Sequence, residues 1–409
     1  MNLLFTFQIF IIVLLTNKRL YYNIVRQEME VCHVYKAYKF RLYPNTSQKV
    51  LINKTFGCGR FVYNYFLDKC MKQGYIKAFD MCSEIKGLYI EYPFLKEVDS
   101  CSLRCTVFNL EDSFKNYFSK RANYPRFKSK FNKQSYRTTC IKSTYKDKEY
   151  SNIVLDLKNK KIKLPKLGFV DVRGYRKLEK INGRIINATV EKETTNKYYI
   201  SVVVEEIEIV SKKAEPRNIV GIDLGVKDLV VTSDGEKYSN PKEILKREKG
   251  LKRLQRKLSR QIKGSNNYNK TKVKIARVHS KIKNSRKHNI INIVNKIVKE
   301  HDIIVSEKLN VKKMSSNHNL AKNILDASFN KICQMLKWKC NLLGKYYYQV
   351  DTYFPSSKKC SHCDEITQET NNLGVRNWTC LNCGCENDRD INASINIMFE
   401  GLIIHCQNS

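Results

Sequence analysis

Residues 219–231 read IVGIDLGVKDLVV. Two apolar runs flank Gly225 and predict an antiparallel pair, and the Asp234-Gly235 dipeptide predicts the next hairpin turn, into EKYS at 236–239. The acid inside the first run is Asp223, at the head of an Asp-x-Gly whose glycine lets the backbone approach a bound phosphate group. Farther on, HDIIVSEKLNV (301–311) predicts a strand ending on Glu307, and NDRDINASINI (387–397) predicts a helix beginning at Asp390. Taken singly, an acid at the end of an element is ordinarily a solvated turn residue. Together the three offer hard oxygen ligands from distant parts of the chain, the donor set that two Mg²⁺ ions take. Strands with helices between and after them make this half of the chain a mixed α/β domain.

The 409 residues allow roughly two to four domains. A hydrophobic content of 42% with 11% aromatics excludes a disordered polyelectrolyte. Lys and Arg number 75 against 39 Asp and Glu, a net charge of +36. RNA or DNA is the polyanion that balances such a charge, and a phosphodiester is the natural target of metals held by the three acids. The plainer reading assigns part of the excess to a Lys-, Asn- and Ile-heavy composition.

Of the 15 cysteines, Cys32, Cys58, Cys70, Cys82, Cys101, Cys105, Cys140, Cys333 and Cys340 sit mostly among apolar residues. That predicts buried free thiols in a reducing cytoplasm, not a secreted disulfide scaffold. The apolar run LLFTFQIFIIVLL (3–15) is too short for an ordinary membrane span. It lacks the basic segment and cleavage site of a signal peptide. Residues 1–28 are expected to lie outside the functional fold, with translation starting at Met29 and no membrane partner.

Upstream of the central stretch, VYKAYKFRLY (34–43) predicts a strand that carries Lys36, Lys39 and Arg41. Tyr35, Tyr38, Phe40 and Tyr43 offer it stacking surfaces for bases, although half of such a strand must face a core. Pro44 ends the strand, and Thr46 or Ser47 caps a helix that opens a helical module over 46–120. Short alternating strands follow, among them YPRFKSK (124–130) with Arg126 and Lys128, and a hairpin across TTNK (194–197). With the early strand they predict a β-barrel from residues 29–45 and 121–215, and SKKAEPRN (211–218) reads as a linker.

Downstream, 241–300 predicts a basic helical region broken near Gly264–Asn269. Its stretch 246–288 holds 17 Lys and Arg and one acid, Glu248. Lys252, Arg253, Arg256, Lys257 and Arg260 predict a face that tracks phosphates; a solvated helical hairpin is the alternative. One helix is expected through ILDASFNKICQMLKWKCNLLG (324–344), then a strand at YYYQVD (346–351).

Cys360-x-x-Cys363 and Cys380-x-x-Cys383 present two thiolate pairs at a ribbon spacing, which predicts a closed tetrahedral Zn²⁺ shell within 359–385. Such a metal folds its module and does no chemistry. A redox dithiol is the rival reading, Cys385 is a possible substitute for Cys383, and His362 is expected to point outward.

Nine stretches carry a resemblance: YKFRLYPNTSQ (38–48), YPRFKSK, IKLPKLG (162–168), VGIDLGVKDLVV (220–231), SEKLNV (306–311), AKNILDASF (321–329), CSHC (360–363), CLNCG (380–384) and DRDINASINI (388–397). In this order they resemble the RuvC-type nuclease core of the RNase H superfamily, and more narrowly the TnpB (OrfB) proteins of insertion sequences, ancestors of type V CRISPR effectors. The resemblance covers roughly residues 33–400. It implies an α/β multidomain protein: a wedge-like N-terminal barrel with an inserted helical module, then a RuvC-like domain over 216–358 and 386–409 with an inserted zinc ribbon. It also implies an RNA-guided DNA endonuclease whose partners are a guide RNA from the transposon end and a double-stranded DNA target, met at the nucleoid. Asp223, Glu307 and Asp390 match the family's catalytic acids, with two catalytic Mg²⁺ and one structural Zn²⁺ as cofactors. Asp388 then reads as the helix cap. Some relatives have lost these acids and act as silent RNA-guided binders; a regulator or accessory of transposition is therefore the alternative function.

Overall fold

The computed structural model describes residues 29–145, 148–174, 183–211, 216–314, 316, 318–367 and 374–408. The expected extension, 1–28, and residues 212–215 of the expected linker lie outside the described residues. The chain divides into two compact units, one spanning Cys32–Glu208 and the other containing Ile209–Ser409.

In the first unit, strand β1 (Met29–Tyr43) leads into α1 (Thr46–Gln73). The cap is Asn45 and not the expected Thr46 or Ser47. Its side chain accepts from Gln48 N at 2.8 Å while the Gln48 side chain accepts from Asn45 N at 3.0 Å, a reciprocal pair that satisfies two orphan donors at once. Helices α2 (Ala78–Glu91) and α3 (Ser100–Phe118) complete the module around Phe66, Leu67, Met81, Leu103 and Phe114.

The remaining strands are β2 (Gln134–Thr139), β3 (Lys142–Tyr145), β4 (Lys148–Ser151), β5 (Val154–Asp156), β6 (Lys161–Leu164), β7 (Gly168–Arg173), β8 (Arg184–Lys192) and β9 (Tyr198–Ser211). Strands β3 and β4 form a separate hairpin, and the others join β1 in the order β2-β8-β9-β1-β7-β6-β5. Alternate residues, including Phe40, Leu42, Val170, Val172, Val190 and Ile200, turn into one core. Among the described residues no ladder joins β2 to β5, so the expected barrel is an open sheet.

The second unit is built on β10 (Ile219–Asp223), β11 (Asp228–Thr232), β12 (Lys237–Ser239), β13 (Ile303–Glu307) and β14 (Tyr346–Val350), ordered β12-β11-β10-β13-β14. The first three strands run antiparallel, whereas β10, β13 and β14 run parallel. Helices α4 (Glu243–Ser259) and α5 (Asn266–Glu300) connect β12 to β13; α6 (Val311–Met314), α7 (His318–Ala327) and α8 (Phe329–Leu342) connect β13 to β14. The single helix expected over 324–344 is two, because Ser328 adopts a left-handed conformation with φ 57°. The short strands β15 (Asn377–Thr379) and β16 (Glu386–Asp388) precede α9 (Arg389–Asn408).

Strand alternation divides the core between two faces. Val220, Ile222 and Ile304 pack against α5, α7 and α8 through Ile290, Val294, Ile297, Ile324 and Leu336. Ile303, Val305 and Val350 pack with Ile397 of α9 on the opposite face. There the helix backbone meets the sheet directly: a Cβ on Gly221 would stand 1.9 Å from the Ser394 carbonyl oxygen. No helix among the described residues is long and apolar enough to cross a membrane.

Candidate active site and metal knuckle

Asp223 and Glu307 are the last residues of neighbouring parallel strands. The register Ile222↔Ser306 carries their side chains to the same sheet end, where α/β sheets ordinarily bind ligands. The two carboxyls share a hydrogen bond, and Glu307 Oε1 also accepts from Leu224 N at 3.4 Å. Burial pushes the Asp223 carboxyl well above its ordinary value, and the charges of Glu307 and Asp390 push it further, against Arg389. Burial also pushes Glu307 up to about 7, opposed by the Leu224 N–H and by the bond to Asp223. Half-buried at adjoining strand ends, the two acids favour the protonated form when no cation is present.

Asp390 sits in the first turn of α9, near enough for its charge to act on Asp223. Its own partner is Arg376, whose Nη1 donates to both carboxylate oxygens at 2.8 Å. Asp388 does different work. Its Oδ1 accepts from the backbone N–H groups of Asp390 and Ile391, each at 3.1 Å, as an N-cap does. Although burial alone would raise its pKa, Lys237 at 2.5 Å and these N–H groups hold the Asp388 carboxyl below its ordinary value. Arg376 and Lys237 were invisible to sequence reasoning, since each reaches its acid from a separate element and neither lies in a spaced motif. Gly225 has a local cause: a Cβ there would lie 2.6 Å from the Asp228 carbonyl oxygen, so the turn itself requires glycine.

Among the described residues, only Cys360, Cys363, Cys380 and Cys383 bring their ligand atoms within 4.8 Å of one another, a group that could hold a metal ion. Cys360 Sγ lies 3.7 Å from Cys383 Sγ, and Cys363 Sγ 3.5 Å from Cys380 Sγ. The Glu365 N–H draws the Cys363 thiol down to about 7, which favours the thiolate a metal needs. Cys385 is outside the group, and its carbonyl accepts from Cys380 N at 2.9 Å. His362 is exposed.

The knuckle is tied to α9 by two asparagines. Asn392 accepts from Ser361 N at 2.9 Å and donates to Lys359 O at 2.7 Å. Asn396 donates to Ser356 O and Lys359 O at 2.8 and 2.7 Å.

The expected nucleic-acid residues divide. Lys36 pairs with Glu206 at 3.0 Å, and Lys39 with Glu191 at 3.5 Å. Lys39 and Arg41 flank the Tyr199 ring, at 4.7 and 5.1 Å, and Arg41 also lies over Tyr43. Phe40 belongs to the core and offers no stacking surface, while Tyr35 is exposed and Tyr38 is half-buried on Glu206. Arg126 is exposed. Lys128 is half-buried, with its ammonium over the Tyr63 ring at 3.7 Å, and burial lowers its pKa. On α4, Lys252, Arg253, Arg256, Lys257 and Arg260 line a cleft of ≈ 1020 Å³ with Lys249 and no acid in its wall.

Comparison with known proteins finds relatives along nearly the whole chain. Residues 197–318 match the OrfB family described as "Probable transposase", residues 329–397 match the "Cas12f1-like, TNB domain", and residues 29–75 match a "Helix-turn-helix domain". In this chain that last segment is β1 followed by the long helix α1. A Streptomyces pristinaespiralis protein named "Putative RNA-guided DNA endonuclease" is 33% identical over 378 residues, 90% of each chain. The Escherichia coli (strain K12) protein "Putative RNA-guided DNA endonuclease InsQ" is 31% identical over 389 residues, 90% of this chain and 92% of the relative. Among solved structures, the protein of a "Cas12f1-sgRNA-target DNA complex" aligns with a TM-score of 0.55 at 13% identity, over 90% of this chain and 99% of the other, a likeness of fold. Matched nearly end to end by relatives of this kind, the chain belongs to the TnpB (OrfB) family.

Proposed function

We propose that this protein is an RNA-guided DNA endonuclease whose hydrolytic centre is Asp223, Glu307 and Asp390. The observation that carries the reading is the half-buried Asp223 and Glu307 at the ends of two parallel strands, with Asp390 near enough for its charge to act on Asp223. Burying like charges together is unfavourable unless a cation offsets them, and the donors are hard oxygens, which fits Mg²⁺. Mg²⁺ held there would supply an activated water and stabilise the leaving 3′ oxygen. Asp223, Glu307 and Asp390 are the residues that would hold it. For Asp390 to take that part, Arg376 must release at least one of its carboxylate oxygens. The same contact favours a second reading, a protein that binds through its guide and does not cut.

The four-cysteine group takes one structural Zn²⁺, since thiolates in a closed tetrahedral set suit that ion. The guide is RNA from the transposon end, the target is double-stranded DNA, and the wedge-like sheet with its helical module reads a short duplex motif beside the target. The names carried by the two relatives, which align along nearly the full length of this chain, support that division of labour. The test is cleavage of a guide-matched plasmid, with flanking motifs varied, by protein purified with its neighbouring RNA and given Mg²⁺. Cutting by wild type and retained binding without cutting by Asp223→Ala are expected. A footprint without strand breaks in wild type would establish the silent binder.

A further inference from the structure

A second basic groove lies away from the α4 cleft, between α5 and α8. Lys283, Arg286, Lys287 and Ile290 share one face of α5, at positions i, i+3, i+4 and i+7; Lys331, Gln334, Met335 and Trp338 share one face of α8 at the same spacing. The two faces enclose a cavity of ≈ 410 Å³, within the range of about 300–1,000 Å³ that holds small ligands. Its floor is apolar, from Ile290 and Met335, and its rim is cationic.

Arg286 is already committed to Asp326 in an ion pair. Lys283, Lys287 and Lys331 are exposed and have no acidic partner among the described residues. Trp338 is 51% exposed, with part of its ring facing solvent. A large aromatic left open beside three unneutralised lysines is ill suited to a core and well suited to a base with phosphates on either side.

We propose that this groove holds one unpaired nucleotide of the bound RNA, its base stacked on Trp338 and its flanking phosphates met by Lys283, Lys287 and Lys331. The proposal rests on the reading of the protein as RNA-guided and adds a site to it. RNA is the occupant because folded RNA presents splayed, unstacked bases in loops and bulges, whereas a DNA duplex offers none until it is opened.

The chain has only two tryptophans, and Trp378 is buried at 4% exposure, so quenching by a stacked nucleotide reports on Trp338, with Trp338→Phe giving the Trp378 background. The experiment titrates the RNA-free full-length protein, in chelator, with a short fluorescein-labelled single-stranded RNA of mixed sequence and with DNA of the same sequence. The RNA is expected to quench tryptophan emission in wild type and not in Trp338→Phe. Its affinity is expected to fall about tenfold in Trp338→Ala and to stay within about twofold in Trp338→Phe. Lys283→Glu with Lys331→Glu is expected to lower the slope of log affinity against log salt by about one to two.

Equal RNA affinity in wild type and Trp338→Ala with no change in emission would overturn the proposal. So would equal quenching by the DNA, or a loss of self-association in Trp338→Ala with RNA affinity unchanged, which would make the groove a contact between copies. RNA-guided cutting that survives in Trp338→Ala with unaltered RNA affinity sinks this site alone. Failure of wild type to bind any RNA sinks the guided reading itself.

Discussion

At the scale of the residue, the raised pKa values of Asp223 and Glu307 mean that protonation there would compete with a bound cation. Both folded pKa values lie above those of an unfolded chain, about 4. The stabilisation is therefore complete below the unfolded pKa and is lost as pH rises through the folded values. Relative to Glu307→Gln, metal-free wild type should show a thermal midpoint that falls between about pH 4 and pH 8. Mg²⁺ should raise that midpoint more at pH 8 than at pH 5; equal gains at both would contradict the pairing. The two acids flanking Arg389 separate by consequence. Asp388→Ala should cost about 1 kcal/mol of stability through the lost cap and leave cutting measurable. Asp390→Ala should cut more than about 100-fold slower, beyond the usual loss for a group that only supports a metal ligand; similar rates in the two variants would reverse the assignment. Sequence could point to these acids because Asp223 and Glu307 lie in or at the end of apolar runs and Asp390 opens a periodic helix. It could not show Arg376 on Asp390, which depends on where β15 falls beside α9.

At the scale of the element, α9 holds its place through contact with the sheet and through its ties to the knuckle. Gly221→Ala adds a methyl where the Ser394 carbonyl already sits. It should cost about 1–3 kcal/mol or more in chemical denaturation, with the larger part appearing as faster unfolding if α9 docks late. An unchanged midpoint would mean that the helix can shift freely. Zinc removal acts on the other attachment. Stripping the knuckle by chelation, or Cys360→Ser, should free Asn392 and Asn396 from Ser356, Lys359 and Ser361. Far-UV circular dichroism should remain largely helical and stranded while Mg²⁺-dependent cutting falls, and restored zinc should return it; cutting indifferent to chelation would refute the coupling. Helices and strands with strong periodicity were legible in the sequence, as were the turn at Asp234-Gly235 and the hairpin across TTNK. The break at Ser328 was not, because serine carries no requirement for a left-handed backbone and the apolar spacing runs on through it. The expected barrel stands as a half-barrel sheet, since alternation predicts strands and says nothing about whether the outermost two meet.

At the scale of the whole molecule, the surplus of 36 positive charges includes a dense basic run along α4 and α5 of the second unit. Helix α5 buries Ile290, Ile293, Val294, Ile297 and Val298 in its C-terminal half, whereas α4 buries only Glu243. The basic ends of the pair are thus left for solvent or a polyanion. Replacing Arg253, Arg256 and Arg260 together by Gln should lower the salt slope of RNA binding by about two, read by fluorescence anisotropy, with the thermal midpoint nearly unchanged. An unaltered slope would assign α4 to the solvated hairpin. The same pair of helices bears on how the molecule comes to exist. Leu224 and Glu307 touch although 83 positions separate them, and α4 and α5 fill the interval between their strands. Parallel partners cannot meet through a tight turn, so the whole interval must be looped out before β10 and β13 join. Local helices form first on such a chain and the distant ladder follows slowly. On the proposed function, the ability to cut would therefore be one of the last properties the folding chain acquires, after the basic helices that would hold RNA.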